Sequence, residues 1–407
     1  MKLQPVRGTQ DYTPDVCQSF RWIDQTALQL AQRYGFEEFD TPIFEFSEVF
    51  HRTLGETSDM VSKETYNFKD RGDEALTLRP EGTAGIARAF ITGGMAQNLP
   101  LKFYYSGPMF RYERPQKGRY RQFHQLGVEY LGSESPFADV ECISLAWELI
   151  KKLQLTDKSV IEINSLGDKE SREKHKALFV EYLQKFKNDL SDESKIRLEK
   201  NPLRILDSKS ESDQKIVQDS PSLQNCLNDQ SKKFYSTVLS SLEKLNISFK
   251  ENTKLVRGID YYCHTVFEIF TTHLGAQGAL IAGGRYDGLI ELMGGPKTPG
   301  VGWASGLERL NLLVNPELVQ QKNQWNAVIA ADETAAMECL ALAEKLRQKN
   351  RFVEYLYSGN MGKKMKKADK LGCDLVYIIG ENELKNNQVT VKNLKDGTQK
   401  LVSLSDI

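Results

Sequence analysis

The sequence has 407 residues, of which 40% are hydrophobic and 27% are charged. This length allows two or three domains with substantial cores, and the composition excludes a disordered or fibrous protein. Its 54 basic and 55 acidic residues give a formal charge of −1, so no general attraction to polyanions is expected. Any contact with nucleic acid must therefore come from local patches of Lys and Arg.

The cysteines and the N-terminus indicate a cytoplasmic protein. Six cysteines are scattered without a C-x-x-C pair, which argues against structural zinc and a disulfide framework and suits a reducing compartment. The stretch MKLQPVRGTQDY lacks the apolar run of a signal peptide. No apolar stretch approaches the roughly 20 residues that span a bilayer, so we expect no membrane partner.

The first part of the chain predicts alternating helices and strands. FRWIDQTALQLAQRYG, which begins at Phe20, has helical spacing and a glycine stop, and the alternating aromatic stretch FEEFDTPIFEFSEVF follows. EALTLRPEGTAGIARAF predicts a strand, a tight turn at Pro80–Gly82 and a helix. LKFYYSGPMFRYE and RQFHQLGVEYLG predict two strands joined by the polar loop from Arg114 to Tyr120. ADVECISLAWELIKKL and SVIEINSLGD then predict a helix and a strand.

The second part of the chain changes character twice. Residues of about 170–250 are rich in Lys, Asp, Glu and Ser with helical periodicity, and they predict a helical insertion within an α/β domain. Strand patterns return in LVRGIDYYCHTVFEIF, ALIAGGRYDGLIELM and GVGWASGLERLNLLV. After Asn315, strands and helices alternate, which predicts a small α/β domain with parallel strands. We therefore expect one domain over residues 1–320 and a second over residues 325–407.

The two predicted strands within FRYERPQKGRYRQFHQLGVEY carry unusual charge. With a period of two, Arg111 and Glu113 share one face of the first strand, and Phe123, Gln125 and Glu129 share one face of the second. The opposite faces carry a plausible packing set: Phe110, Tyr112, Leu126, Val128 and Tyr130. Burying the polar face without partners costs several kcal/mol per group, so a ligand would supply the partners. A hairpin with one solvated face is the alternative.

Three further segments carry side chains that suit small charged ligands. TLRPEGTAG places Glu81 and Thr83 on a turn before a helix, where they could hold an ammonium group or simply cap the helix. LVRGIDYY contains Arg257, and arginine suits bidentate binding of carboxylate or phosphate. GVGWASGLERL leads to Arg309 on a predicted helix, where it is placed to face another phosphate; the alternative is a structural Gly-rich turn.

Other patterns do not support a metal site or a phosphate-binding loop. The five histidines have no metal-ligand spacing, and GNMGKKMKK lacks the glycine spacing of a phosphate-binding loop. We therefore expect no metal ligands among the side chains. Lys363, Lys366, Lys367 and Lys370 fall on one face of a predicted helix, which is either a solvated face or a patch that contacts RNA.

Together these segments resemble the histidyl-tRNA synthetases, a family of class II aminoacyl-tRNA synthetases, over essentially the whole chain. FRYERPQKGRYRQFHQLG is similar to the family's motif 2, GVGWASGLERL to motif 3, and DTPIFEFSEVFHRTLGETSD to the dimer-forming motif 1. LVRGIDYY and AGGRYDGL resemble the two segments peculiar to the histidine enzymes. Ile259 and Trp303 depart from the pattern, where Leu and Phe are expected. The resemblance implies a class II antiparallel-sheet catalytic core with a helical insertion, a C-terminal α/β anticodon-binding domain and a homodimer.

The resemblance also implies the reaction of a histidine–tRNA ligase. L-histidine and ATP, with Mg²⁺, would form histidyl-adenylate and pyrophosphate, and histidine would pass to tRNA(His) with release of AMP. Positioned arginines and Mg²⁺ stabilise the charge of such a transition state, and no protein nucleophile is needed. The alternative is an inactive, synthetase-like regulatory subunit of ATP phosphoribosyltransferase. Such relatives are expected to lose catalytic arginines and the C-terminal domain, whereas this chain retains both.

By the same resemblance, two groups of residues would bind the substrates. Arg257 and Arg111 would be catalytic. Arg257 would contact the histidine carboxylate and the α-phosphate, and Arg111 would contact the α-phosphate. The other ATP-binding residues would be Glu113 at the adenine amino group, Phe123 stacked on adenine, and Arg309 at the γ-phosphate. The histidine-binding residues would be Glu81, Thr83 and Gln125 at the ammonium group, Glu129 and Tyr262 at the imidazole, and Tyr261 and Tyr286 around the pocket. The tRNA acceptor end would contact Arg114, Gln116 and Arg119.

Overall fold

The computed structural model describes residues 3–54, 64–200, 202–208, 210–256, 261–275, 278–319 and 324–407. The chain divides into two compact units, residues 1–319 and residues 320–407. Three features named above lie outside the described residues. They are Arg257, Ile259 and residues 55–59 of the motif 1 stretch.

The described part of the first unit contains strands and helices in alternation. Its strands are β1 (Glu37–Glu38), β2 (Phe44–Phe46), β3 (Tyr66–Lys69), β4 (Ala75–Leu78), β5 (Leu101–Phe110), β6 (Gln122–Leu131), β7 (Val160–Ser165), β8 (Lys250–Glu251), β9 (Cys263–Phe270), β10 (Ala279–Arg285) and β11 (Gly300–Gly306). Its helices are α1 (Pro14–Arg33), α2 (Ser47–Leu54), α3 (Thr83–Thr92), α4 (Pro136–Lys152), α5 (Lys169–Gln184), α6 (Asp192–Lys200), α7 (Glu211–Gln218), α8 (Asp229–Lys244), α9 (Leu289–Leu292), α10 (Leu307–Asn311) and α11 (Pro316–Val319).

A large sheet forms the centre of the first unit. Among the described residues its strand order is β1-β5-β6-β11-β10-β9-β7-β8. The six strands from β5 to β7 in this order pair with one another in antiparallel fashion, whereas the edge strands β1 and β8 pair in parallel with β5 and β7. A smaller antiparallel sheet has the order β2-β4-β3. The predicted antiparallel-sheet core is confirmed.

Helices α1 and α4 cover one face of the large sheet. α1 buries Phe20, Ile23 and other apolar residues at helical spacing, and α4 starts at Pro136 after the capping residue Ser135. Both helices pack in one core with Leu126 and Val128 of β6. Because side chains alternate across a strand, Gln125 and Glu129 of β6 point to the opposite face of the sheet.

The charged hairpin departs from its predicted geometry at one point. β5 ends at Phe110, so Arg111 and Glu113 lie beyond the strand and do not share a strand face as predicted. The ladder ends because the Glu113 N–H donates back to the Arg111 carbonyl at 2.7 Å. Tyr112 is exposed rather than part of the packing set, and its ring lies 3.7 Å from the guanidinium of Arg121.

The described part of the chain between β7 and β8 consists of helices and the loops that join them. It contains α5 to α8 and two short 3-10 helices, Pro202–Asp207 and Leu223–Cys226. The fully buried carboxylate of Asp213 organises the middle of this region, because it accepts hydrogen bonds from the side chains of Ser191, Ser194 and Ser208 at 2.6 to 2.7 Å. These hydrogen bonds lower the pKa of Asp213 to about 2 despite its desolvation.

The second unit contains five strands and three α-helices in its described residues, followed by the short 3-10 helix Leu404–Asp406. They are β12 (Trp325–Ala330), α12 (Ala336–Gln348), β13 (Phe352–Leu356), α13 (Met361–Lys370), β14 (Cys373–Ile379), α14 (Glu381–Lys385), β15 (Gln388–Asn393) and β16 (Gln399–Ser403). The sheet order is β13-β12-β14-β15-β16. β13, β12 and β14 are parallel as predicted, and an antiparallel hairpin of β15 and β16 extends the sheet. α12 packs on one face and α13 on the other.

Candidate active site

A polar cleft of about 230 Å³ opens on the face of the large sheet opposite α1 and α4. It brings together most of the residues predicted for the substrates: Glu81, Thr83, Arg111, Glu113, Arg119, Phe123, Gln125, Glu129, Tyr261, Tyr262, Tyr286 and Arg309. Arg114 and Gln116 do not line the cleft, and Arg257 lies outside the described residues.

Glu81 caps the N-terminus of α3. Its buried carboxylate accepts the backbone N–H groups of Thr83 at 2.7 Å and Ala84 at 2.8 Å, so the capping alternative is observed. Burial raises the pKa of this carboxyl, and the two backbone hydrogen bonds oppose the rise. A carboxylate has about four acceptor positions, so capping leaves Glu81 capacity to bind a further donor.

Two arginines fix the turn that carries Glu81. The buried side chain of Arg79 donates to the carbonyls of Pro108 at 2.9 Å and Thr41 at 2.7 Å. Arg111 donates through Nε to the carbonyl of Pro80 at 2.8 Å. The turn is therefore held from both sides. Sequence reasoning missed Arg79, although its place beside Pro80 in TLRPEGT was a signal.

Glu129 is an almost completely buried carboxylate on the floor of the cleft. It accepts the hydroxyl of Thr83 at 2.6 Å and also the hydroxyl of Tyr286. Burial raises the pKa of Glu129 to about 8, because desolvation outweighs these two hydrogen bonds. The neighbouring strand leaves room for it: a Cβ on Gly302 would lie 2.0 Å from Oε2 of Glu129.

Three tyrosines form a wall beside Glu129. The ring centroids of Tyr261 and Tyr262 are 4.7 Å apart, and those of Tyr261 and Tyr286 are 5.7 Å apart. Tyr286 is buried against Gly300, where a Cβ would lie 2.3 Å from its ring. Each tyrosine is thus fixed by its neighbour, and the wall ends at the carboxylate of Glu129.

Gln125 presents a buried acceptor to the same end of the cleft. Its Oε1 has no hydrogen-bond partner within the described ranges, although the side chain is almost fully buried. Buried polar atoms in native proteins are nearly always paired, so this oxygen marks a place for a donor from a ligand.

The other end of the cleft is rich in arginine. The guanidinium of Arg111 lies 5.2 Å from the ring centroid of Phe123 and its Nη1 lies 3.9 Å from Oε1 of Glu113. Nε of Arg119 lies 2.9 Å from Oε2 of Glu113. Arg309 donates to the carbonyls of Ala279 at 2.7 Å and Gly118 at 3.3 Å. Burial and the nearby charge of Arg119 lower the pKa of Arg309. Such a cluster suits an anionic ligand.

The polar loop after β5 divides its side chains between the cleft and the surface. Gln116 and Arg119 pair through their backbones at 2.8 and 3.1 Å, which closes the loop. Arg119 turns inward toward Glu113, whereas Arg114 and Gln116 are exposed. The structure therefore separates Arg119 from the two residues with which it was grouped.

Two charged residues near the cleft have structural contacts that the sequence did not reveal. Glu308, which lines the cleft, accepts the Tyr12 hydroxyl at 2.7 Å and the His124 N–H at 2.8 Å. Arg285, beside Tyr286, is completely buried in an ion pair with Asp139. Buried pairs of this kind need all their hydrogen bonds satisfied, and Arg285 also donates to carbonyls of the β6–α4 loop.

The described residues contain neither a cluster of metal ligands nor a membrane-spanning helix. No group of three or more His, Cys, Asp or Glu side chains in the described ranges could hold a metal ion. No helix in the described part of the chain is long and apolar enough to span a membrane.

An antiparallel sheet with a polar, arginine-rich cleft on one face is the architecture of a class II aminoacyl-tRNA synthetase core. A family model described as histidyl-tRNA synthetase matches residues 8–310, and one described as anticodon binding domain matches residues 325–407. The chain belongs to the histidyl-tRNA synthetase family, and the resemblance inferred from its motifs is confirmed.

Individual relatives agree along the full length. A histidine–tRNA ligase of Rhodospirillum rubrum is 52% identical over 403 residues, which are 99% of this chain and 97% of that protein. One of Gluconobacter oxydans is 46% identical over 405 residues, 100% of this chain and 97% of that protein. The crystal structure of apo histidyl-tRNA synthetase from S. aureus has a TM-score of 0.85 at 33% identity, and the match covers 99% of this chain and 98% of that chain.

Proposed function

We propose that this protein attaches L-histidine to tRNA(His) in an ATP-dependent reaction through a histidyl-adenylate. The observation that carries the proposal is the buried carboxylate of Glu129, held by Thr83 and Tyr286 at one end of a cleft whose other end is rich in arginine. A carboxylate at the pocket floor suits the ring N–H of an imidazole. A pocket built to pair ring nitrogens leaves polar groups unpaired around an apolar amino acid, so it rejects one strongly.

The histidine end of the cleft supplies acceptors for two parts of the substrate. Glu129 would accept a ring N–H of the imidazole, and Tyr262 would be the second hydrogen-bond partner of the imidazole. The unpartnered Oε1 of Gln125 would accept the ammonium group, together with Glu81 and Thr83. Tyr261 and Tyr286 shape the pocket wall.

The arginine end would bind ATP. Arg111 would contact the α-phosphate and Arg309 the γ-phosphate, with adenine between Phe123 and Glu113. We add Arg119 to this group, because it lies beside Glu113 in the cleft rather than with the exposed loop residues. Mg²⁺ would arrive as the complex with ATP, bound through the phosphates.

In the first step, the histidine carboxylate attacks the α-phosphorus and the bond to the pyrophosphate oxygen breaks. Fixed guanidinium groups stabilise the negative charge that spreads over the phosphate oxygens, and no side chain needs to form a covalent intermediate. Arg257, assigned by resemblance, would contact the histidine carboxylate and the α-phosphate. In the second step, a hydroxyl of the terminal adenosine of tRNA attacks the carbonyl carbon, and AMP leaves.

Exposed basic and polar groups would bind tRNA. Arg114 and Gln116 are exposed on the loop beside the cleft and would contact the acceptor end. The second unit, which matches the anticodon-binding family, would bind the anticodon. We place this activity in the cytoplasm, where translation takes place.

The small sheet of the first unit would form a homodimer interface. It exposes Phe44, Phe46 and Phe68, which are 53%, 57% and 43% exposed. Three large apolar side chains on one short sheet form a patch that marks a protein contact. The patch lies in and beside the motif 1 stretch, so we infer that a second copy of this chain covers it.

The regulatory alternative predicts a protein that does not charge tRNA. It is disfavoured because Arg111 and Arg309 line the cleft, and because a second unit of the anticodon-binding family is present. The test is aminoacylation of tRNA(His) by the purified protein with ATP, Mg²⁺ and each amino acid separately. Charging with histidine alone supports the proposed function, and a folded protein that charges with no amino acid would contradict it.

A further inference from the structure

The helical region between β7 and β8 contacts the tyrosine wall through the side chain of Arg172. Arg172, in the first turn of α5, donates through Nη1 to the backbone carbonyl of Tyr262 at 2.7 Å. The two residues come from different parts of the chain, and the hydrogen bond is charge-assisted, which makes it stronger than a neutral one. The guanidinium therefore holds the backbone of a residue that lines the cleft.

The N-terminus of α5 is itself rigidly anchored. Asp168 caps α5 through the Ser171 N–H at 2.8 Å, and Asn228 caps α8 through the Ser231 N–H at 2.9 Å. The two caps are joined, because Nδ2 of Asn228 donates to Oδ2 of Asp168 at 2.7 Å. Because these caps hold the start of α5 in place, the Arg172 side chain in turn holds the Tyr262 backbone in a defined position.

The backbone after Tyr262 is fixed from the same side. The Leu166 N–H donates to the His264 carbonyl at 2.6 Å, and the His264 N–H donates to the Gly167 carbonyl at 2.8 Å. Leu166 and Gly167 lead directly into α5. Within the described residues, the start of α5 therefore holds the chain at both Tyr262 and His264.

The contact continues from Tyr262 to the floor of the cleft. The Tyr262 ring packs on Tyr261, whose ring packs on Tyr286, and the Tyr286 hydroxyl donates to Glu129. A shift of the Tyr262 backbone would move the wall relative to this carboxylate. On the far side, Gly284 leaves little space, since a Cβ there would lie 3.0 Å from the Tyr262 ring.

From this geometry we propose that Arg172 is a positioning residue for amino-acid recognition: it sets the place of Tyr262, and so the shape of the imidazole end of the pocket. Arg172 itself does not line the cleft and would not touch the substrate. The inference rests on the proposed function, in which Tyr262 meets the imidazole. It adds that the helical region between β7 and β8 controls the affinity for histidine.

The test compares Arg172→Ala and Arg172→Lys with the wild-type protein in histidine-dependent exchange of pyrophosphate into ATP. Lys174→Ala, an exposed change on the same helix, is the matched control. We expect Arg172→Ala to raise the KM for histidine about tenfold, equivalent to about 1.4 kcal/mol, with the KM for ATP unchanged. Arg172→Lys keeps a charged donor and should fall between Arg172→Ala and wild type.

A second measurement locates the defect within the substrate. Histidinol carries the imidazole and the ammonium group but has no carboxylate, so its affinity reports the imidazole end of the pocket. Calorimetric binding of histidinol to Arg172→Ala should weaken by the same factor as the KM for histidine. Unchanged histidinol binding would overturn the inference, because the defect would then lie at the carboxylate.

The outcomes separate this inference from the function on which it rests. If wild-type protein exchanges and Arg172→Ala has the wild-type KM for histidine, the inference is wrong and the function stands. An equal rise in the KM values for histidine and ATP would mean general damage and would also overturn it. If Arg172→Ala does not fold, the KM for histidine and the histidinol affinity of Arg172→Lys test the inference in its place. If wild-type protein shows no exchange, the proposed function fails and the inference fails with it.

Discussion

The Thr83 hydroxyl donates to the Glu129 carboxylate at 2.6 Å, although the two residues are 46 positions apart in the chain. Thr83 starts α3 just after the turn with Glu81, and Glu129 lies on β6. This hydrogen bond therefore joins the capped helix to the sheet at the point where histidine would bind. It also fixes the direction of one of the two carboxylate oxygens.

The raised pKa of Glu129 predicts a dependence of stability on pH. A carboxyl with a pKa of about 8 when folded and an ordinary value when unfolded binds its proton more strongly in the folded state. Its contribution is fully present below the unfolded pKa and is lost as pH rises through about 8. The free energy of unfolding of the wild type should therefore fall relative to Glu129→Gln between pH 5 and pH 9, by an amount on the order of a few kcal/mol. Urea unfolding of both proteins across this pH range measures the change. A difference in the free energy of unfolding that stays constant with pH would contradict the raised pKa of Glu129.

Gly302 predicts a steric effect on the same carboxylate. Gly302→Ala would place a Cβ 2.0 Å from Oε2 of Glu129 and 2.3 Å from the Val128 carbonyl oxygen, so both the carboxylate and the paired backbone of β6 and β11 must shift. We expect the KM for histidine to rise at least about tenfold, with little change in the KM for ATP. Gly288→Ala is the control, because nothing lies within 4 Å of its added Cβ. Equal kinetics of the two variants would show that Glu129 does not bind substrate.

Substitution of Arg309 should slow adenylation through the ATP end of the cleft and leave histidine binding unchanged. Arg309→Lys keeps the charge but removes the guanidinium that donates to the carbonyls of Ala279 and Gly118. The adenylation rate should fall about 100-fold, as expected for the loss of one positioned donor to a developing charge. Histidinol binding should remain at its wild-type value. Arg33→Lys on the exposed end of α1 is the matched control. A defect in histidinol binding would place Arg309 at the wrong end of the cleft.

The lysines of α13 predict a contribution to tRNA affinity. Lys363, Lys366, Lys367 and Lys370 are exposed, while Lys364 is buried and donates to the Ala330 carbonyl at 2.7 Å. If the exposed face contacts RNA, Lys366→Ala with Lys370→Ala should raise the KM for tRNA several-fold and make its salt dependence shallower, because fewer phosphates are neutralised.

The control for the α13 lysines removes two positive charges elsewhere in the second unit. Lys392→Ala with Lys400→Ala, on β15 and β16, should leave the KM for tRNA and its salt dependence near wild type. If both double variants behave like wild type, the α13 lysines are a solvated face.

The apolar patch on the small sheet predicts the oligomeric state. Phe44→Asp with Phe68→Asp places charges where two aromatic rings lie 6.4 Å apart, and should shift sedimentation from dimer to monomer. Phe137→Asp changes another exposed phenylalanine, at the start of α4, and should leave the dimer intact. If the wild-type protein sediments as a monomer, the proposed homodimer interface on the small sheet is wrong.

Sequence reasoning succeeded best where one residue type determined the local outcome. The strand, turn and helix around Glu81 were predictable because alternation ends at Pro80 and helical spacing follows. The same was true of β6, whose alternation placed Gln125 and Glu129 on one face and Leu126 and Val128 on the other.

The remaining features came from local turns and tertiary contacts that alternation does not show. Arg111 and Glu113 lie past the strand because the chain turns on its own backbone, which alternation cannot predict. SEVF, read with the preceding strand, begins α2 at Ser47. The inward direction of Arg119 depends on Glu113, and the burial of Arg285 depends on Asp139. No alternation pattern specifies these pairs, and Arg285 and Asp139 meet only because β10 and α4 pack together in the fold.

The most direct test of the account is histidine-dependent exchange of pyrophosphate into ATP, which needs no tRNA. Purified wild-type protein with Mg²⁺ should exchange with L-histidine and not with other amino acids, and Glu129→Gln should raise the KM for histidine far more than the KM for ATP. A folded wild-type protein that exchanges with no amino acid, or equally with several, would contradict the claim that this cleft selects and activates histidine.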